Sequence, residues 1–181
     1  LAALPFLVWD AWVSGRHWDF NPAYTLPVRI AGLPIAEILF FFTVPFSCLF
    51  TWQYVVRPEQ GTKLSAEWLY WPMFALIPTG AWIFTTGLEY TGLMVGALGI
   101  AAAVDRISGS KLLLQPRFWL FQAICFGFTF VFNGYLTSRP VVTYWEQYQV
   151  GLRLWTTPVE DFGYGAALLW IGASFYEFFK P

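Results

Sequence analysis

Charge is what this sequence has least of. Asp, Glu, Lys and Arg make up 12% of its 181 residues, about half the share of a soluble domain. The 10 Lys and Arg do not outnumber the 11 Asp and Glu, so no basic excess exists to neutralise a phosphate backbone. Nucleic-acid binding is excluded. One histidine, His17, gives no second imidazole for a shuttle or a ligand set. Two cysteines, Cys48 and Cys125, lie inside apolar runs and read as small core or lipid-facing hydrophobes, not as a disulfide framework or a zinc site. A Gly-rich dinucleotide loop is also missing, so neither a flavin nor any other cofactor or metal is expected.

What is abundant is apolar and aromatic: 57% hydrophobic residues, 22% aromatic, mean hydropathy +0.54. A helix needs about 20 mainly apolar residues to cross the hydrocarbon core. Ile38 to Val56 is uncharged for 19 residues, and Trp68 to Leu88 and Phe118 to Ser138 for 21 each. Tyr90 to Val104 and Phe162 to Tyr176 give 15 each and reach spanning length with their flanking turns. None alternates as barrel strands do. The expected fold is all-α, a polytopic transmembrane helical bundle in a single membrane domain over 1–181. Its spans end near Val13 or cover about 34–56, 67–86, 90–106, 116–137 and 157–179. The chain opens at Leu1 within an apolar run, without an initiating Met or the basic flank of a signal peptide. Further helical sequence is expected before it, making seven spans of the six in the intact protein.

The loops alternate between two faces. Face A holds Arg16, Arg29, Arg139 and Arg153, while face B holds Arg57, Lys63, Arg106, Lys111, Arg117 and Lys180, which favours face B as cytoplasmic. Thr85-Thr86-Gly87-Leu88-Glu89 is so short a turn that the third and fourth spans must be antiparallel neighbours.

One pattern occurs twice: a span ending in aromatics with a polar residue, a Gly/Pro/Trp-rich loop, and a proline opening the next helix just before acids. The first copy runs from Trp9-Asp10-Ala11-Trp12 to Gly32-Leu33-Pro34-Ile35-Ala36-Glu37. The second runs from Phe132-Asn133-Gly134 to Thr157-Pro158-Val159-Glu160-Asp161. Asp10 precedes Pro34 by 24 positions and Asn133 precedes Pro158 by 25, so we read two parallel repeats, about 1–56 and 90–179, joined by a linking helix at about 67–86. Both proline-acid segments enter from face A. The helix dipole favours charged carboxylates in a first turn, whereas burial among Phe40, Phe41, Phe162 and Tyr164 favours the neutral acid, a proton donor. Acids in such a turn can also be plain interfacial caps, but their recurrence in one frame marks them as functional. Arg29 and Arg153 are near enough in sequence to fold back on them. His17 is expected as an interfacial side chain, and Glu89, Asp105 and Arg106 as solvated charge at span ends. Crowding of Trp9, Trp12, Trp18, Trp145 and Trp155 at face A points to a site lined by π-faces, which stabilise a desolvated cation by about 2 kcal/mol or more.

These segments, from Trp9 through Gly32 to Phe42, Asn133 to Thr137, Thr157 to Gly165 and Tyr176-Glu177, resemble the lycopene cyclase domain family over almost the whole chain. Those small membrane cyclases occur as two-subunit, fused and bifunctional types. The resemblance implies a carotenoid cyclase, an isomerase of the intramolecular lyase class in the cytoplasmic membrane. An acid protonates the ψ-end of lycopene or a related linear carotenoid, a carbocation closes the ring, and a base leaves a β-ionone end. It implies Glu37, Glu160 and Asp161 as catalytic carboxylates. Asp10, Asn133, Trp9, Phe40, Phe41 and Tyr164 are the candidates for holding the substrate and orienting the acids. The family pattern expects a further acid where this chain has Ala36, so either three carboxylates suffice or the site is weakened. Membrane lipid and a second cyclase subunit or a second copy are the implied partners. The competing readings are a non-catalytic carotenoid- or lipid-binding subunit and a repeat-built transporter.

Overall fold

The computed structural model describes residues 2–56 and 65–180. Among them lie six α-helices: α1 (Ala3–Val13), α2 (Ile35–Phe50), α3 (Tyr70–Thr85), α4 (Glu89–Ser108), α5 (Pro116–Ser138) and α6 (Val159–Phe179). The architecture is an all-α bundle. Three stretches, Ile35–Val55, Glu89–Ser108 and Pro116–Ser138, are long and apolar enough to cross a membrane. The first continues α2 through a π-helical turn at Thr51–Val55. The uncharged run expected as the third span is shorter as a helix: it starts in a 3-10 turn at Glu67–Leu69, and α3 has 16 residues, fewer than the about 20 needed. Helix α6 is long but central, with every residue from Ala166 to Ser174 buried. Its neighbours α1, α2, α4 and α5 cover it.

Helix α3 packs on α4 across the short turn, as the loop length requires. Gly80 and Gly92 let the two backbones meet, since a Cβ at either position would come within 3 Å of backbone atoms of the facing helix.

The face A loops fold into three two-stranded pieces. Strand β1 (Trp18–Phe20) pairs antiparallel with β4 (Val142–Tyr144), setting Trp18 opposite Tyr144 and tying the two long loops together. Strands β2 (Arg29–Ile30) and β3 (Leu33–Pro34) form one hairpin, and β5 (Arg153–Leu154) and β6 (Thr157–Pro158) another. The hairpins match bond for bond. Arg29 lies across from Pro34 as Arg153 does from Pro158. Ile35 N–H donates to Val28 C=O at 3.0 Å, as Val159 N–H does to Leu152 C=O at 3.0 Å. Each proline (φ −58, ψ 143 and φ −56, ψ 143) then launches a helix. The first hairpin turns through Ala31 and Gly32 at positive φ (51 and 84), the second through Trp155 (59). The two arginines do not reach the acids. Arg29 donates to Gly32 C=O at 3.0 Å and Arg153 to Thr156 C=O at 2.8 Å, bracing their own turns.

Two expectations about charge are overturned. Asp105 is fully buried and accepts hydrogen bonds from Tyr70 Oη (2.6 Å), Ser110 Oγ (2.6 Å), and the N–H groups of Leu112 (2.8 Å) and Leu113 (3.0 Å). It closes the face B end, where Arg106 and Lys111 pair with Glu67. Arg57 and Lys63, counted toward face B, lie outside the described residues. His17 is not an interfacial side chain either: it is 1% exposed, stacked on Tyr148 at 4.2 Å and bonded through Nε2 to Glu89 at 2.9 Å. Arg16 holds the other Glu89 oxygen at 2.6 Å, so Glu89 anchors the α1 loop to α4.

The glycine seam is testable. Gly92→Val forces α3 off α4 and should cost about 1–3 kcal/mol, seen as a lower unfolding temperature in detergent. Unchanged stability would contradict the close approach.

Candidate active site

The site is assembled at face A, where the first turns of α2 and α6, the ends of α1 and α5, the start of α4 and the β1–β4 pair converge. They enclose a cavity of about 140 Å³. Asp10, Glu37 and Asp161 all line it, and none of its lining residues is Lys, Arg or His.

Asp161 is the most heavily bonded. Tyr90 Oη donates to its Oδ1 at 2.7 Å, and Tyr144 Oη (2.7 Å) and Asn133 Nδ2 (3.1 Å) donate to Oδ2. Asp10, 2% exposed, accepts the indole N–H of Trp18 on Oδ1 at 2.8 Å, and its Oδ2 has no partner among the described residues. Glu37 accepts no hydrogen bond among the described residues; it stands half-buried in the first turn of α2, against the same cavity. Burial, then the nearby Asp161, hold the Tyr144 phenol well above its usual range, so it stays a hydrogen-bond donor. The rings of Tyr90 and Tyr144 stack at 6.4 Å, and Trp18 lies 5.0 Å from Tyr90. Phe40, Phe41 and Tyr164 complete the aromatic wall. Tyr164 Oη donates to Phe6 C=O at 3.1 Å, which fixes its ring.

Of the ten motif and substrate positions named from the family resemblance, seven meet here: Asp10, Glu37, Phe40, Phe41, Asn133, Asp161 and Tyr164. Three do not. Glu160 is fully buried but does not line the cavity; its Oε1 accepts from Thr91 Oγ1 (2.6 Å) and from Val150 N–H (2.8 Å). Trp9 packs edge-on to Trp12, His17 and Phe84 and borders a different cavity. Ala36, the counterpart of Glu160 in the matched hairpins, is exposed. The expected tryptophan lining is mostly tyrosine: of the five crowded tryptophans only Trp18 reaches the cavity, and Trp12, Trp145 and Trp155 are exposed. Sequence reading missed Tyr90 and Tyr144. Tyr144 sits in a Val-Thr-Tyr alternation whose inward face only the pairing with β1 fixes. Among the described residues, no three His, Cys, Asp or Glu side chains come together to hold a metal ion.

A family model for lycopene cyclase matches residues 1–55 and 87–179. The chain belongs to the lycopene cyclase family. No curated protein and no solved structure matches it. Every residue lining the cavity falls within the matched segments, whereas α3 lies outside them. Membership makes carotenoid cyclisation the general activity and a carotenoid the substrate, and the three long apolar helices associate this lycopene cyclase family member with the membrane.

His17 braces the face A loops, stacked on Tyr148 and bonded to Glu89. Burial holds its imidazole below the usual 6.5 despite Glu89, so the folded chain binds fewer protons than the unfolded chain below that pH. Stability should fall as pH drops below about 6.5, with the unfolding temperature lower at pH 5.5 than at 7.5. His17→Gln should flatten that dependence; an equal slope in the variant would contradict the assignment.

Proposed function

We propose that the chain cyclises the ψ-end of lycopene, or of a related linear carotenoid, to a β-ionone ring by acid catalysis without redox change. The observation that carries this is a small aromatic cavity holding three carboxylates and lined by no basic residue. Protonating an alkene needs a dry, neutral acid, and the cation that results needs π-faces and no water. Glu37, with no hydrogen bond to its carboxyl among the described residues, suits the donor. Asp161, with three donors on its oxygens, suits the base that faces the cation.

The proton from Glu37 adds to the terminal double bond and leaves a tertiary cation. The π pair of the next reacting double bond closes the six-membered ring and carries the charge to a ring carbon. Asp161 removes an adjacent proton, whose bonding pair becomes the ring double bond. One proton enters and one leaves, so the step is an isomerisation. Trp18, Tyr90, Tyr144, Tyr164 and the Phe40/Phe41 pair surround the cation. Asp10 adds a third carboxyl to the cavity, and Asn133 orients Asp161.

Glu160 acts in this scheme as a positioning residue that ties the start of α6 to Thr91 and to the loop at Val150. The exposure of Ala36 favours a site that needs no acid there. We place the chain in the cytoplasmic membrane as one domain of two parallel repeats, in keeping with the matched hairpins.

Ring formation from lycopene, followed by chromatography of products from membranes containing the chain, tests the roles. Glu37→Gln and Asp161→Asn should each lose about 100-fold or more, the scale of positioned acid–base catalysis. Glu160→Gln should retain measurable turnover and Ala36→Glu should match the parent. Full activity in Glu37→Gln or Asp161→Asn would remove the proposed chemistry.

A further inference from the structure

The cavity that holds the acids is too small for the substrate. Sites that enclose a whole drug-sized ligand measure about 300–1,000 Å³, and this one measures about 140 Å³. It takes the reacting end of a carotenoid, and the long conjugated chain must lie elsewhere. Two larger apolar cavities adjoin it, and they differ in how they connect.

One, of about 450 Å³, lies between α1, α3, α4 and α6 and shares a single lining residue, Tyr164, with the acid cavity. Tyr164 therefore stands as a wall between the two. The other, of about 600 Å³, lies between α2 and α5 and shares six: Phe40, Val44, Thr129, Asn133, Leu136 and Leu169. It therefore borders the acid cavity along most of one side, from Phe40 to Leu169. Helices α2 and α5 each pack on α6 and make few direct contacts with each other, so the space is a cleft with Leu169 of α6 as its floor.

Its sides are two helical stripes. On α2 and the turn that follows, Glu37, Phe40, Val44, Ser47, Cys48 and Thr51 recur at helical spacing, a line of about 21 Å at 1.5 Å per residue. On α5 the facing stripe descends from Asn133 through Thr129 to Cys125. Beyond Thr51 and Cys125, toward face B, Trp52 packs edge-on against Phe121 at 5.4 Å and is covered by Arg117 at 4.0 Å. The outward rims, Phe46 on α2 and Phe132 on α5, are 75% and 63% exposed on apolar surfaces that face lipid in a membrane.

We infer that the α2–α5 cleft is the binding site for the polyene chain of the substrate, which slides in sideways from the bilayer with one end seated among Asp10, Glu37 and Asp161. The occupant rests on the cyclase reading; the location follows from the six residues the two cavities share. Trp52 and Phe121 stand beyond the face B end of the stripes, so the far portion of the chain leaves between the exposed rims into lipid.

The test blocks each cavity in turn. Ser47→Phe fills the cleft. Gly96→Leu fills the other cavity, because a Cβ at Gly96 meets nothing within 4 Å. Lycopene binding to each detergent-solubilised variant is read by quenching of intrinsic tryptophan fluorescence, and ring formation is assayed separately. Unfolding temperatures confirm that both variants fold. Ser47→Phe should weaken lycopene binding about tenfold or more and raise KM in parallel, with Gly96→Leu within about twofold of the parent. A shortened substrate bearing one ψ-end and no polyene beyond the cavity should be cyclised equally by parent and Ser47→Phe. Weakened binding in Gly96→Leu with normal binding in Ser47→Phe, or normal binding in both, would overturn the assignment. If the parent binds lycopene and never cyclises it, while Ser47→Phe loses that binding, the cleft stands and the cyclase reading falls.

Discussion

Three carboxylates share one small apolar cavity with no cation among its lining residues, and the rest of face A is organised around that constraint. Burying acids in such a setting is costly unless their oxygens find donors. The donors are neutral: two phenols and an amide for Asp161, an indole for Asp10. Neutral donors orient a carboxylate without cancelling its charge, as a lysine or arginine would, and they double as aromatic walls. Arginines are present at face A, but Arg29 and Arg153 are kept on hairpin carbonyls, Arg16 on Glu89 and Arg139 over the ring of Tyr135. The β1–β4 pair is what delivers Trp18 and Tyr144 together, which makes a short piece of sheet indispensable to a helical protein.

The matched hairpins explain how the acids reach the cavity. Each proline is held by the same cross-strand bonds, so the second residue after Ile35 and after Val159 points the same way: Glu37 from one side, Asp161 from the other. The residue just before each acid turns elsewhere, buried as Glu160 against α4 and exposed as Ala36. An acid missing at position 36 is therefore not an acid missing from the cavity.

Much of this was legible in the sequence. Scarce charge and long uncharged runs announced the helices, and the proline-acid frame, repeated at nearly equal spacing, marked Glu37 and Asp161. Asp10 and Asn133 followed from that frame as well. The sequence was silent where tertiary contacts decide. Asp105 is buried because helices from distant parts of the chain close over it, and His17 because Tyr148 stacks on it; Glu160, marked by the same frame as Asp161, is turned off the cavity by its bonds to Thr91 and Val150. Helix α6 carries a span-like run of apolar residues, yet other helices cover it. Tyr90 and Tyr144 carry no local signal of their function, since their hydroxyls matter only once α4 and β4 have been brought onto α6.

The central claim is that a protein carboxyl gives a proton to the carotenoid and that no net redox change occurs. A single turnover in membranes equilibrated in D₂O measures this directly by the mass of the cyclic product. The account predicts one non-exchangeable deuterium per ring formed and otherwise the mass of an isomer of the substrate. A ring formed without deuterium, or a product differing from the substrate by two hydrogens, would contradict it.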